Sequence, residues 1–554
     1  MKTSRFFLPL VVLAAFLPVG LAQQPAGEIA QVDRLFERWD STRTPGCAVA
    51  VARDGHTVFS RAYGMADLEQ GTVNTPATIF EAGSVSKQFT AAAVVLLSLE
   101  GKLSLDDDVR QYVPELPDHG VPITIRHMMT HTSGLRDWGN VAGIAGWGRT
   151  TRVHTHAHVL DIVSRQRALN FPPGREYSYS NTGYNLLAVI VGRVSGMSFA
   201  EFTRKRIFEP LGMTRTQWRD DFQRVVKGRA TAYETRREGE FATNMPFENV
   251  HGNGGLLTTV GDLLIWTQNL ETGKLGGPEF LEAMHRQGRL NNGRTITYAA
   301  GLRVEKYKGV PEVSHTGSTA GYRAFLTRYP EQRLAVALLC NVGSVNSGGL
   351  GHQVADVFLG EAVSGAGGQA DLPKAATLPQ GELSAKAGLY RDTSTGEPLR
   401  LVFRDGELRL ERGGALIPLS AAEFRVGTSG RRLMFETSQG EIRPRIREVR
   451  ESGEDSVYEP VPEFTPTAAE LAAYAGEYYS PDAETALVAA VEEGKLVLRR
   501  RPDTRIALAP VYKDAFSGGS LGLIRFLRHA NGRVMELSVR QDRVYDLRFG
   551  RVQK

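Results

Sequence analysis

Two cysteines in 554 residues are too few for a disulfide framework, and no metal site can be built on them. Long apolar runs are as scarce. Phe6 to Leu21 is itself short for a membrane span, and no other candidate span is present. Charge of one sign is missing too. The 66 Lys and Arg against 61 Asp and Glu leave a formal +5, too small and too dispersed for a nucleic-acid or membrane surface. What remains is 42% hydrophobic and 23% charged, the balance of soluble globular protein, in a chain too long for one ordinary domain.

The N-terminus carries Lys2 and Arg5, then an apolar run broken by Pro9 and Pro18, then the small-residue pattern Gly20-Leu21-Ala22. This reads as a secretory signal over residues 1–22, cleaved after Ala22, so the chain is exported to the periplasm or beyond with no membrane span left. Cys47 and Cys340 then mature where a disulfide is permitted; each sits in a strand-like run that suits a bridge or a pair of buried thiols.

The most informative stretch runs from Ile79 to Leu97. Gly83 ends an extended segment, Ser84 stands where a helix begins, and an almost polar-free run follows. Ser84 and Lys87 are one turn apart and share a face. A serine needs a base to become a nucleophile, and a buried lysine can serve once desolvation lowers its pKa. The helix start also offers free N–H groups to a developing oxyanion.

Before it lie a helical lead, Glu28 to about Trp39, and a hairpin of Cys47–Arg53 with His56–Tyr63 about Asp54-Gly55. After it, Leu103 to Tyr112 reads as a capped helix and Ile123 to Leu135 as a short helix ending in a turn. His127 and His131, four apart, and the alternating His154, His156 and His158 raise metal ligation. No acidic or third histidine partner accompanies the first pair at helical spacing, and the trio opens a helix, so a solvated face is the better reading.

Phe171 to Ile190 is a proline-glycine loop, then Tyr179-Ser180-Asn181, then an apolar helix. Tyr179 can carry a proton and Asn181 can hold a carbonyl or steady a lysine. Val310 to Tyr322 is a strand with a bare Gly317, where another chain can approach closely. Two more strands, Ala324 to Tyr329 and Leu334 to Cys340, with the N-terminal hairpin, make one antiparallel sheet with helices between.

Ser84-x-x-Lys87, Tyr179-x-Asn181 and His315-Thr316-Gly317, in that order, resemble the serine penicillin-recognising superfamily. Within it the chain is similar to the class C β-lactamase-related hydrolases: esterases, D-aminopeptidases and D-Ala-D-Ala carboxypeptidases. His131 to Leu135, Pro210 to Thr214 and Gly254 to Asp262 add to the likeness, which covers about residues 28 to 360. The resemblance implies an α+β fold, an antiparallel sheet flanked by helices with an all-helical subdomain. It implies that Ser84 forms an acyl-enzyme, that Lys87 and Tyr179 share the acid and base work, and that Asn181 orients Lys87 and the substrate amide. It places the oxyanion hole at the N–H groups of Ser84 and Ser318. His315 stands where many β-lactamases and carboxypeptidases carry lysine, which leans towards the aminopeptidase and esterase branches.

Past a glycine-rich linker, residues 363–381, the sequence duplicates itself. Leu383 to Tyr390 recurs as Leu471 to Tyr478, and Gly406 to Leu410 as Gly494 to Leu498. Both copies read as small antiparallel β-barrels, over 382–465 and 466–554, and resemble the lipocalin-like modules behind such hydrolases. A loop from one of them could reach the Ser84 cleft, or both could be packing domains. One Gly-x-Ser-x-Gly match, Gly518 to Gly522, lies in a turn without strand-turn-helix context.

With the hydrolase domain at 28–362, the expected protein is an exported serine hydrolase of D-amino-acid amides or peptides. A short-chain esterase, a weak β-lactamase or DD-carboxypeptidase, and a catalytically silent penicillin-binding or sensing protein are the alternatives. Its partner is a small-molecule or peptide substrate, with no nucleic acid. No cofactor or metal is implied, because side chains and backbone donors suffice for acyl transfer.

Overall fold

The computed structural model describes residues 26–150, 152–364, 375–427, 431–437, 443–450 and 455–553. The leader assigned to residues 1–22 and residues 365–374 of the linker lie outside them.

A six-stranded antiparallel sheet runs in the order Arg303–Tyr307, Val310–Thr319, Tyr322–Tyr329, Leu334–Cys340, Cys47–Arg53, His56–Tyr63. The expected hairpin and the three later strands thus form one sheet. The register sets Cys47 opposite Cys340, and the two form a disulfide that ties the neighbouring strands Cys47–Arg53 and Leu334–Cys340 together. Alternation divides the first strand between two cores. Val49 and Val51 join Val32, Phe36 and Phe358 under the helices Ala26–Phe36 and Ser347–Leu359. Ala48 and Ala50 face Phe89 and Trp266 of the helices Lys87–Leu99 and Val260–Thr272. With both faces covered, that strand is apolar along nearly its whole length.

The helix Lys87–Leu99 is buried from Lys87 to Leu97, which is why its sequence carries so little polarity. Asn181–Ser195 packs against it. Leu103 to Tyr112, expected as a capped helix, is a series of turns with one short 3₁₀ segment, Val109–Gln111. The Asp107 carboxylate accepts from Ser104 N, Ser104 Oγ from Asp106 N, and Asp108 from Arg110 N. These short polar side chains satisfy the backbone locally, in competition with the helix.

The C-terminal third folds into two antiparallel sheets of eight and nine strands. In each, the first strand pairs with the last, Gly388–Asp392 with Ser456–Pro460 and Gly476–Ser480 with Val544–Arg551. The two free edges are consecutive strands, so each sheet curls into a nearly closed barrel. The duplication shows in a shared tether: Tyr390 Oη donates to Lys386 O and Tyr478 Oη to Tyr474 O, both at 2.8 Å. The second barrel docks on the helical layer. Buried Arg136 donates to Asp482 Oδ2 at 2.8 Å and to Asp546 O at 2.6 Å, and Arg501 donates to Ala145 O at 2.8 Å.

Candidate active site

Gly83–Ser86 forms a 3₁₀ turn that runs directly into the helix Lys87–Leu99. The turn places Ser84 over the mouth of a cavity of about 500 Å³ and sends Lys87 beneath it. Lys87 is fully buried. Its Nζ lies 3.2 Å from Ser84 Oγ, 3.0 Å from Asn181 Oδ1 and 2.7 Å from the Asn253 carbonyl oxygen. Burial pushes the amine well below its ordinary value of 10.5; the positive charges of Arg543 and Arg149 add to the effect, and Asp137 opposes it.

Asn181 opens the helix Asn181–Ser195 and is held by its own backbone, whose N–H donates to Asp137 Oδ2 at 2.7 Å. Asn253 is steadied by Asn185, whose Nδ2 donates to Asn253 Oδ1 at 2.7 Å. Tyr179 lies with its ring 4.8 Å from Lys87 Nζ. Burial raises the phenol above its ordinary range, partly offset by the neighbouring Ser84 hydroxyl and the charge of Arg543. Among the described residues its hydroxyl completes no hydrogen bond of good geometry.

The strand Val310–Thr319 forms the opposite wall. A Cβ at Gly317 would stand 2.1 Å from the Ala82 carbonyl oxygen, and one at Gly83 would stand 2.6 Å from Ser318 N. The bare glycine expected to admit another chain therefore admits the turn that carries Ser84. Its absence of a side chain brings Ser318 N beside that turn. His315 is buried beside the cavity, its Nε2 accepting from Tyr298 Oη at 2.8 Å and its Nδ1 donating to the Thr316 carbonyl at 2.6 Å. These bonds fit the neutral ring with its proton on Nδ1. Burial, with the Lys87 charge nearby, pushes the imidazole down to about 3.

The structure thus gathers all eight residues singled out from the sequence, Ser84, Lys87, Tyr179, Asn181, His315, Thr316, Gly317 and Ser318, at or beside one cleft. It adds residues the sequence reading did not assign: Asp137, Asn253, Arg149, Arg303 and Arg543. Asn253 adjoins the Gly254 to Asp262 stretch, a signal that could have found it. His131, considered as a metal ligand, instead lies buried among Tyr177, Tyr179, Tyr184 and Tyr298, its Nδ1 accepting from Ser180 N. His127 and His158 cap helices, and His156 and His154 donate to the carbonyls of His251 and Trp147. Gly518 to Gly522 forms a turn between two barrel strands with no following helix.

Beneath the turn, buried Glu81 pairs with buried Arg219 at 2.8 Å. Burial opposes ionisation of Glu81, but Arg219 beside it, with Arg229 and Arg149, holds the carboxyl below its ordinary range. Glu81→Leu takes away the close partner of buried Arg219, leaving it Glu248 at 3.9 Å, and is expected to lower stability by about 3–5 kcal/mol. Urea unfolding of wild type and variant measures this; a loss below about 1 kcal/mol would contradict it.

Residues 32–357 match the family described as Beta-lactamase. Penicillin-binding protein 4* of Bacillus subtilis is 31% identical over 322 residues, 55% of this chain and 70% of that protein. A D-aminopeptidase of Cereibacter sphaeroides is 27% identical over 460 residues, 82% of this chain and 83% of the relative. For the D-aminopeptidase of Gluconobacter oxydans the match spans little more than half of that relative, 56%, at 28% identity. Among solved structures, the octameric penicillin-binding protein homologue from Pyrococcus abyssi superposes with a TM-score of 0.55 at 25% identity, covering 78% of this chain and 100% of that one.

Proposed function

This chain belongs to the beta-lactamase family and is a serine hydrolase; on that premise we propose that it cleaves amide bonds of D-amino-acid amides and short peptides through an acyl-enzyme on Ser84. The observation that carries the reading is the buried Lys87 amine 3.2 Å from Ser84 Oγ. Its other two partners are carbonyl oxygens, which only accept. A neutral amine spends its two hydrogens on them and turns its lone pair to the Ser84 hydroxyl.

Ser84 Oγ then attacks the substrate carbonyl while Lys87 Nζ takes the hydroxyl proton. The N–H groups of Ser84 and Ser318 receive the oxyanion. Tyr179, kept as a protonated phenol, gives its proton to the departing amine and recovers one from Lys87. Water repeats the sequence in reverse to release the acid. His315 stays neutral and shapes the wall together with Thr316. The preference for D-residues draws support from the D-aminopeptidase relatives. Export draws support from the leader pattern in the sequence and from the Cys47–Cys340 disulfide.

The test is hydrolysis of D-alanyl-glycinamide against its L-isomer by the mature chain, with Ser84→Ala alongside. Expected is cleavage of the D-isomer at least tenfold faster, abolished by Ser84→Ala. Equal rates on both isomers would remove the D-preference, and no cleavage of either while a p-nitrophenyl ester is turned over would replace the peptidase by an esterase.

A further inference from the structure

The cavity above Ser84 is lined by three arginines, Arg149, Arg303 and Arg543, and by no carboxylate. Arg149 is already engaged, donating through Nε and Nη2 to the two carboxylate oxygens of Glu248. His315 contributes no charge, being neutral. The charges of Arg303 and Arg543 remain to face a cavity whose described lining holds no carboxylate, with Asp137 set behind Arg543 at 4.0 Å.

Arg543 comes from the second barrel. It sits at the tip of the hairpin joining Val534–Gln541 to Val544–Arg551. The hydrolase domain fastens that tip by its backbone and flanks. Asp137 N and Asn170 Nδ2 both donate to the Arg543 carbonyl, at 3.1 and 3.0 Å. Asn170 Oδ1 accepts from Tyr545 N at 2.9 Å, and Asn140 Nδ2 donates to Gln541 Oε1 at 2.8 Å. A surface hairpin held this closely is a placed part of the cleft wall.

Its side chain, in contrast, is under-used. The guanidinium lies over the Tyr179 ring at 4.9 Å. The nearest carboxylate, Asp137, is 4.0 Å away, and that carboxylate already accepts the N–H groups of Gly139, Asn140 and Asn181. Among the described residues the guanidinium makes no hydrogen bond to a protein acceptor, and the side chain keeps 38% of its exposure. A guanidinium has five donors in a planar fork that matches a carboxylate. Arg543 also stands on the boundary with a second cavity of about 520 Å³, between the hydrolase helix starting at Trp138 and the barrel turn Gly519 to Gly522. A substrate longer than one residue passes it on the way from Ser84 into that groove.

We propose that Arg543, supplied by the second barrel, is a specificity residue of the Ser84 cleft that binds a carboxylate on the substrate, so that peptides with a free carboxylate near the scissile bond are preferred over their neutral amides. This deepens the peptidase reading above and rests on it for the identity of the scissile bond. The barrel then acts as part of the substrate site rather than as packing alone.

The test separates charge recognition from turnover. In the full chain carrying Ser84→Ala, calorimetry gives Kd for N-acetyl-D-alanyl-glycine and for N-acetyl-D-alanyl-glycinamide, which differ in one charge. The acid is expected to bind about tenfold more tightly. Arg543→Gln brings the two within about twofold, Arg543→Lys keeps most of the preference, and Arg303→Gln leaves it in place. Raising the salt concentration narrows the gap in the starting protein and not in Arg543→Gln. Thermal melts show that each variant is folded. The proposal is overturned if the acid fails to bind more tightly than the amide, or if the preference survives Arg543→Gln or is lost only with Arg303→Gln. Because these are binding measurements, a failure to cleave D-alanyl-glycinamide removes the peptidase reading without touching them. Cleavage of the D-peptide with equal Kd for acid and amide removes only the role of Arg543.

Discussion

Lys87→Met lowers kcat/KM on every amide and ester substrate by about 10²–10⁴-fold, the range for losing a positioned general base. Methionine fills the same volume and leaves no buried charge behind, so the helix Lys87–Leu99 keeps its packing. The loss is therefore chemical, and two further readings mark it so. Adding Lys87→Met to Ser84→Ala costs little more, because the two residues act as a unit. In the unaltered enzyme the rate rises with pH as Lys87 gives up its proton, through a value held below 10.5 by burial, by Arg543 and by Arg149, against the pull of Asp137. The buried neighbours His131 and His315 stay neutral over the same range, so the limb reports Lys87.

Stability carries the same signature. Lys87 binds its proton less tightly in the folded than in the unfolded chain. Between the two values the unfolded chain holds more protons, so stability increases as pH rises through that window and levels off above 10.5. Lys87→Met removes this rise and is the more stable protein at the low end of the window. Urea midpoints across the alkaline range test it. A Lys87→Met enzyme within tenfold of normal activity would pass the base role to Tyr179.

Gly317→Ala is expected to reduce kcat by about 10²–10³-fold, the cost of one oxyanion donor. The added methyl would sit 2.1 Å from the Ala82 carbonyl oxygen and 3.0 Å from the Ala324 Cβ. Neither neighbour can yield, since Ala82 is fully buried main chain and Ala324 lies in the next strand. The strand and the Gly83–Ser86 turn must separate. Ser84 N and Ser318 N then no longer converge on one oxygen, although every side chain of the site is still present. Steady-state kinetics at a temperature where circular dichroism shows the variant folded measures the effect. A rate within tenfold of the starting protein would mean that these two N–H groups are not the donors.

Local pattern determined a good deal. The Ser84 turn and its helix, Tyr179 and Asn181 before the next helix, and Gly317 in its strand were legible because each depends on neighbours within one turn or one strand. The apolar run Cys47–Arg53 and the Asp54-Gly55 turn after it placed that strand, and the repeated Tyr390 and Tyr478 motifs marked the two barrels. Local pattern misled where short polar side chains competed with the backbone, at Ser104 to Asp108.

Tertiary structure alone decided the charge and reach of the site. Spacing puts Lys87 next to Ser84, but burial on all sides, with Asn253 supplied from 166 residues away, is what lowers the amine's hold on its proton. Composition could not show that Cys47 and Cys340 face each other, since strand register depends on the whole sheet. Nor could it show that Arg543, among 66 basic residues, reaches the cleft from another domain. Desolvation and long-range approach are properties of three-dimensional packing, and a linear sequence records only the residues that packing will bring together.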